Sequence, residues 1–128
     1  MKLIKDTTKK FFADTYALIE IISGNSNYKD FFDSILVTSK FNLLELYFTI
    51  LRYHGKEQAE KYLHAYKDLV IPISYNSISI GMQFKLKYFK ENLSYVDCVG
   101  YALALELDLK FLTGDQKFKD KFNVEFMK

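Results

Sequence analysis

The chain of 128 residues contains no tryptophan, one cysteine, one proline, five glycines and one arginine. The solitary Cys98 leaves no second thiol for an intrachain disulfide, so a stapled small domain is excluded and a reducing, cytoplasmic compartment is expected. So little glycine and proline excludes collagen-like and low-complexity chains, and a hydrophobic share of 49% excludes disorder. Long apolar runs are missing as well. The longest uncharged stretch, residues 69–84, is interrupted by Pro72, Ser74, Asn76, Ser77, Ser79 and Gln83, whereas a bilayer helix needs about 20 predominantly apolar residues. The opening Met1-Lys2-Leu3-Ile4-Lys5-Asp6 meets charge before any sustained apolar run, the wrong order for a secretory leader, and no membrane association is expected. His54, His64 and an unpartnered thiol are too few to build a zinc cluster or a Cys–His nucleophile pair. No Gly-x-Gly-x-x-Gly or phosphate-loop string occurs.

What remains is a chain of single-domain size, able to bury roughly two-thirds of its unfolded surface. Its 18 cations nearly cancel its 16 anions, and all the cations but Arg52 are lysines. Any phosphate contact would therefore use flexible point charges rather than bidentate forks. The denser lysine patches are Lys85, Lys87 and Lys90, and the later set Lys110, Lys117, Lys119 and Lys121; each reads either as a solvated face or as a phosphate-binding one.

Residues 10–13 form a short apolar run, and residues 15–22 have a helical pattern stopped by Gly24-Asn25. A second β-rich run covers 34–38, followed by a helix over 42–53 that ends at Gly55 and a charged amphipathic helix over 56–69. Residues 70–73 read as a third short strand, with Pro72 placing it at an edge or a strand end. Helices are expected over 77–90, loosened near Gly81, and over 94–108, with strands at 110–113 and 124–126. Strands alternating with helices of this length predict an α/β chain in which a mainly parallel sheet of four to five strands is covered on both faces. One domain spans 10–128, and residues 1–9 form an N-terminal extension.

In such a sheet, ligands collect beyond the carboxyl ends of the strands. Asp14 follows the first strand directly, Asp115 stands two residues past Thr113, Asp97 lies near a helix start, and Glu45 lies one turn into the helix after the second strand. Each has a plain structural reading beside a chemical one. Asp14 and Asp115 are placed to cap helices, and Asp97 completes Ser94-Tyr95-Val96-Asp97, close to a capping box. Glu45 shares a polar stripe with Asn42, Thr49 and Arg52 that can simply meet water. As a set they say more, because four carboxylates aimed at one point repel each other unless a cation neutralises them. An all-oxygen set selects a hard ion, Mg²⁺ or Mn²⁺. Such an ion activates water and offsets charge on a phosphoryl group.

The strings Phe12-Ala13-Asp14-Thr15, Asn42-Leu43-Leu44-Glu45-Leu46, Leu93-Ser94-Tyr95-Val96-Asp97-Cys98-Val99 and Phe111-Leu112-Thr113-Gly114-Asp115-Gln116-Lys117-Phe118 resemble the four signature blocks of PIN-domain nucleases, in the family's order. The short chain is similar to the VapC toxins of VapBC toxin–antitoxin pairs. One departure is Gly114, which stands where a basic residue is common. The resemblance implies a PIN-like three-layer α/β/α sandwich and a metal-dependent ribonuclease acting on structured RNA such as tRNA or rRNA. It makes Asp14, Glu45, Asp97 and Asp115 the catalytic acids, with Asp14, Asp97 and Asp115 as metal ligands and Thr113 as a hydroxyl that orients an acid or a water. It further implies a homodimer and a cognate antitoxin. Lys85, Lys87 and Lys117 are candidates to hold the RNA backbone, on their charge alone. A catalytically silent RNA- or protein-binding module and a structure-selective DNA nuclease fit the same residues.

Overall fold

A computed structural model describes residues 8–128; residues 1–7, and with them most of the expected extension, lie outside the described residues. Four strands form one sheet: β1 (Lys10–Ala13), β2 (Ile35–Val37), β3 (Lys110–Thr113) and β4 (Val124–Phe126). All three pairings are parallel and the spatial order is β2-β1-β3-β4. Parallel strands buried on both sides need apolar residues at successive positions, and Phe11, Phe12, Ala13, Phe111 and Leu112 supply them.

Alternation along the strands sends these side chains to two separate cores. Phe11, Ala13 and Leu112 face α1 (Thr15–Ile22), α2 (Lys40–His54) and α3 (Lys56–Tyr66), where they meet Leu18, Leu43, Leu46 and Ala59. Phe12 and Phe111, stacked with ring centroids 5.9 Å apart, face α4 (Tyr75–Lys87) and α5 (Tyr95–Glu106) and meet Cys98, Tyr101, Leu103 and Phe118. The result is the three-layer α/β/α arrangement expected from the alternating strands and helices. Each fully buried phenylalanine contributes about 1.5–3 kcal/mol relative to exposure.

Helix starts follow their capping residues: Ser39, Ser74 and Ser94 accept from the backbone N–H three residues on. The α2 end falls at Gly55, whose φ of 87° suits glycine. Two expectations are corrected. The strand over 70–73 is reduced to one bridge, Thr38 to Val70, flanked by Thr38 N–H to the Leu69 carbonyl and Ile71 N–H to the Thr38 carbonyl. Pro72 has no N–H with which to continue that ladder. The helix around Gly81 is continuous rather than loosened, because the glycine serves a close helix crossing. A Cβ there would lie 2.9 Å from the Cys98 carbonyl oxygen on α5. Short 3-10 turns, such as Ser26–Phe31 and Gln116–Phe118, had no periodic signal to announce them.

Gly81→Ala sets two effects against each other. Helix propensity favours alanine by about 1 kcal/mol, while forcing a methyl into a packed crossing costs about 1–3 kcal/mol. The contact is with rigid backbone, so the urea midpoint is expected to fall. A raised midpoint would show that the α4–α5 crossing is looser than described.

Candidate active site

β1 hands the chain to β2 on one side of the sheet, while β3 lies on its other side. The crevice beyond the carboxyl ends of β1 and β3 is therefore a topological switch point. Asp14 stands at its floor, 1% exposed. Its backbone N–H still donates to the Leu112 carbonyl of β3 at 3.1 Å, while its own carbonyl already accepts from Leu18. The side chain works on both sides of this change: Oδ1 caps α1 by accepting from Ala17 N–H at 2.8 Å, and Oδ2 accepts from the Thr113 hydroxyl. Thr113 Oγ1 accepts in turn from Asp115 N–H at 3.0 Å. Asp115 Oδ1 then caps the 3-10 turn Gln116–Phe118 through Lys117 N–H at 3.0 Å.

The other two acids arrive on helices. Asp97 is the third residue of α5, fixed by its N–H to Ser94 Oγ at 3.0 Å. Glu45 projects from α2, and its Oε1 accepts from the Thr15 hydroxyl at 2.7 Å. Thr15 is itself held by Asn42 Nδ2 at 3.2 Å, and Asn42 Oδ1 by the Ser39 hydroxyl at 2.6 Å. A partly buried polar chain thus runs from the start of α2 to Glu45.

Asp14, Glu45, Asp97 and Asp115 all line one cavity of about 380 Å³, together with Thr15, Tyr16, Gly114 and Gln116. Burial pushes Asp14 up to about 8, against the lowering effect of its Thr113 and Ala17 hydrogen bonds, and the charges of Asp97 and Asp115 add to the rise. Asp97 is pushed up to about 6, first by burial and then by Glu45 and Asp115, while the Ser94 hydrogen bond and the nearby Lys117 act the other way. The carboxylates share a cavity without collapsing together. Among the described residues, no three His, Cys, Asp or Glu side chains are grouped closely enough to hold an ion as they lie.

Thr113, expected to orient an acid or a water, donates its hydroxyl to Asp14. None of the three candidate lysines lines the cavity itself. Lys85 donates to the Leu93 carbonyl and lies 4.6 Å from the Tyr95 ring centroid, and Lys117 donates to the Asn92 carbonyl at 3.2 Å. Lys87 lies over Tyr88 at 5.5 Å, among residues lining a different cavity. The polar stripe on α2 divides: Asn42 and Glu45 face the site, whereas Thr49 lines a separate cavity with Ile50 and His54, and Arg52 sits over Tyr53. Thr15 and Gln116 were not singled out from the sequence; their adjacency to Asp14 and Asp115 was the available signal. Gly114, which lacks the basic side chain of the family pattern, has no room for one: a Cβ would lie 2.1 Å from Tyr16 Cε1 and 2.6 Å from the Met127 carbonyl oxygen. Cys98 is buried and its thiol is pushed up to about 11 by that burial, so it is a core residue and no nucleophile.

The raised Asp14 fixes a sign for stability. A carboxyl whose folded value lies near 8, above its ordinary 3.8, contributes fully at pH below 3.8 and loses that contribution as pH climbs towards 8. Asp14→Asn removes this titration and keeps an acceptor for Ala17 N–H. In chelator, the variant is expected to melt at about the parent's temperature near pH 4 and at a higher one at pH 8. Equal melting at pH 8 would show that Asp14 ionises without penalty.

The PIN domain family matches the chain over residues 11–122. No curated protein matches it by sequence. Solved structures do match by fold. VapC20 of Mycobacterium tuberculosis, described as a Sarcin-Ricin loop cleaving toxin, superposes with a TM-score of 0.75 at 18% identity, covering 92% of this chain and 99% of that one. A chain of a toxin–antitoxin complex from Klebsiella pneumoniae gives 0.71 at 20% identity, covering 90% and 95%. One from DNA-bound VapBC of Salmonella typhimurium gives 0.71 at 15%, covering 93% and 97%. With the family match spanning nearly all of the described chain, and with a fold shared with VapC toxins, this protein belongs to the PIN domain family.

Proposed function

We propose that the chain is a divalent-metal-dependent endoribonuclease and the toxin of a two-component pair. The observation that carries this reading is the convergence of Asp14, Glu45, Asp97 and Asp115 from β1, α2, α5 and the loop after β3 on one cavity at the switch point. The donor set is all oxygen, which suits Mg²⁺ or Mn²⁺. Spaced carboxylates around a roomy cavity also suit Mg²⁺, which keeps several of its waters and takes only one or two carboxylates directly. Asp14, Asp97 and Asp115 would hold the ion, directly or through water. When bound, it would lower the pKa of a coordinated water and offset the charge that grows on the phosphoryl group.

The protein's own groups supply the rest. Glu45, fixed by Thr15, faces the cavity and orients the attacking water. Thr113 holds Asp14 so that its carboxylate presents its remaining lone pairs to the cavity. Water oxygen attacks phosphorus in line and releases a proton to solvent, the bond to the leaving ribose oxygen breaks, and that oxygen takes up a proton from solvent, so that one water is consumed per bond cut. No covalent enzyme intermediate forms. RNA as substrate is supported by the description of the M. tuberculosis neighbour, and an antitoxin partner by the complexes from K. pneumoniae and S. typhimurium. We place a homodimer contact on the apolar surface of α2 and α3, where Leu44 and Phe48 are exposed beside a groove of about 620 Å³.

Purified protein incubated with labelled tRNA, rRNA and DNA is expected to cut RNA with Mn²⁺ and nothing with chelator. Asp97→Asn is expected to slow cleavage by about a hundredfold or more, or about 2.7 kcal/mol of transition-state stabilisation. An Asp97→Asn variant as active as the parent, or cleavage confined to DNA, would overturn the assignment. Light scattering is expected to give a dimer mass for the parent and a monomer mass for Phe48→Lys; a dimeric variant would move the contact elsewhere.

A further inference from the structure

Six of the chain's seventeen lysines fall in two short segments, residues 85–91 and 117–121, which hold only two acids between them. In the rest of the chain, anions outnumber cations. The fold brings the two segments together. Lys121 pairs with Glu91 at 2.7 Å, its Nζ lies 4.3 Å from the Tyr88 ring centroid, and Lys117 reaches the Asn92 carbonyl at 3.2 Å. Lys85 joins the same surface to the start of α5 through the Leu93 carbonyl and the Tyr95 ring. These three cations build the surface. Lys87, Lys90 and Lys119 are exposed, as is Lys117, whose Nζ is engaged by the Asn92 carbonyl.

Large aromatic side chains stand out among them: Phe89 is 73% exposed, Tyr95 68% and Phe122 79%. A face meant only for water has no use for such rings, and a protein interface core is depleted in lysine. Exposed rings interleaved with point-charge cations match an unpaired nucleic-acid strand, whose bases have free faces to stack and whose phosphates need no fork. The surface also starts at the carboxylate cavity: Asp115 caps the turn that carries Lys117, and Tyr95 stands two residues before Asp97.

We infer that residues 85–91, Tyr95 and 117–122 form a binding surface for an unpaired stretch of RNA leading out of the cavity, with bases stacked on Phe89, Tyr95 and Phe122 and phosphates held by Lys87, Lys90 and Lys119. The inference rests on the ribonuclease reading for the identity of the strand as RNA, while binding itself needs no cleavage.

Fluorescence anisotropy in chelator tests it, using a labelled single-stranded RNA of about 12 nucleotides, within the usual site size, and a blunt RNA duplex. The parent is expected to prefer the single strand. Phe89→Ala and Phe122→Ala are each expected to weaken binding roughly tenfold, as loss of one stacked base does. Lys87→Gln with Lys90→Gln is expected to flatten the salt dependence by about 1.4, at about 0.7 per phosphate. These side chains are exposed, and an unchanged melt confirms folding. Aromatic variants that bind like the parent, or a duplex bound as tightly as the single strand, overturn the inference. So does a parent that ignores RNA but self-associates through this face, with Phe122→Ala dispersing it. A parent that binds the strand yet cuts nothing with Mn²⁺ removes the nuclease reading and leaves the surface standing. A parent that cuts, with aromatic variants of unchanged KM, does the reverse.

Discussion

The sheet edge is organised around a carboxylate that the fold withdraws from water. Asp14 ends β1 and begins α1 within one residue, its N–H still in the ladder to β3 and its carbonyl already in the helix. Withdrawing an acid to this degree raises the free energy of its charged form, and burial is the largest cause of its upward shift. The neighbourhood is built to limit that penalty: a helix N–H on one oxygen, a threonine hydroxyl on the other. Thr113 can give its proton to Asp14 because its own oxygen is oriented by Asp115 N–H. Through these contacts the ends of β1 and β3 are tied side by side, and so are the two acids that follow them. No buried side-chain nitrogen or oxygen lacks a partner among the described residues.

Capping and ligation are therefore compatible uses of the same groups. An ionised carboxylate offers about four acceptor positions, and the Asp14 contacts with Ala17 and Thr113 engage one position on each oxygen. Asp115 caps a turn with one oxygen and still lines the cavity. Caps also do something for the site that packing cannot. They fix the rotamers of short side chains by hydrogen bonds to rigid backbone, so each acid is positioned before anything binds. Glu45 has a longer and looser side chain and needs more: the run from Ser39 through Asn42 to Thr15 holds it.

Much of this was legible in the sequence, for identifiable reasons. Doubly buried strands appear as short apolar runs, and serine before a periodic segment marks a helix start, so β1, β3, α2 and α5 were placed nearly to the residue. The common edge of Asp14, Asp97 and Asp115 was legible because strand ends and helix starts are what a switch point is made from, whereas Glu45, inside α2, had only its polar stripe to mark it. Hidden were features set by tertiary contact. Gly81 reads as a helix breaker, yet it is where α4 touches the α5 backbone. Residues 70–73 have strand composition, yet with Pro72 beside it only one bridge forms. Asn42 and Thr49 share one stripe, but seven residues set them about 10 Å apart along α2, so Asn42 holds Thr15 at the site while Thr49 lines a different cavity. Nor does any spacing rule bring Lys121 to Glu91 across thirty residues.

The same hidden pairing governs how charge works in this molecule. A cavity lined by four carboxylates repels a polyanion, so on the ribonuclease reading attraction must come from elsewhere and act at short range. At physiological salt the Debye length is about 8 Å, and lysines scattered over the chain would be screened from a strand at the cavity mouth. Concentrating six of them in two segments that meet beside Asp97 and Asp115 overcomes that limit. Packing these cations together has its own repulsion, which the fold relieves by giving Lys121 to Glu91, Lys85 to the Leu93 carbonyl and Tyr95, and Lys117 to the Asn92 carbonyl. Lys117, whose charge acts on Asp97, is thereby tied down, while Lys87, Lys90 and Lys119 keep exposed side chains. A phosphate held by Lys87, Lys90 or Lys119 would leave the next stretch of backbone free to enter the cavity, where a metal ion held by Asp14, Asp97 and Asp115 would meet it.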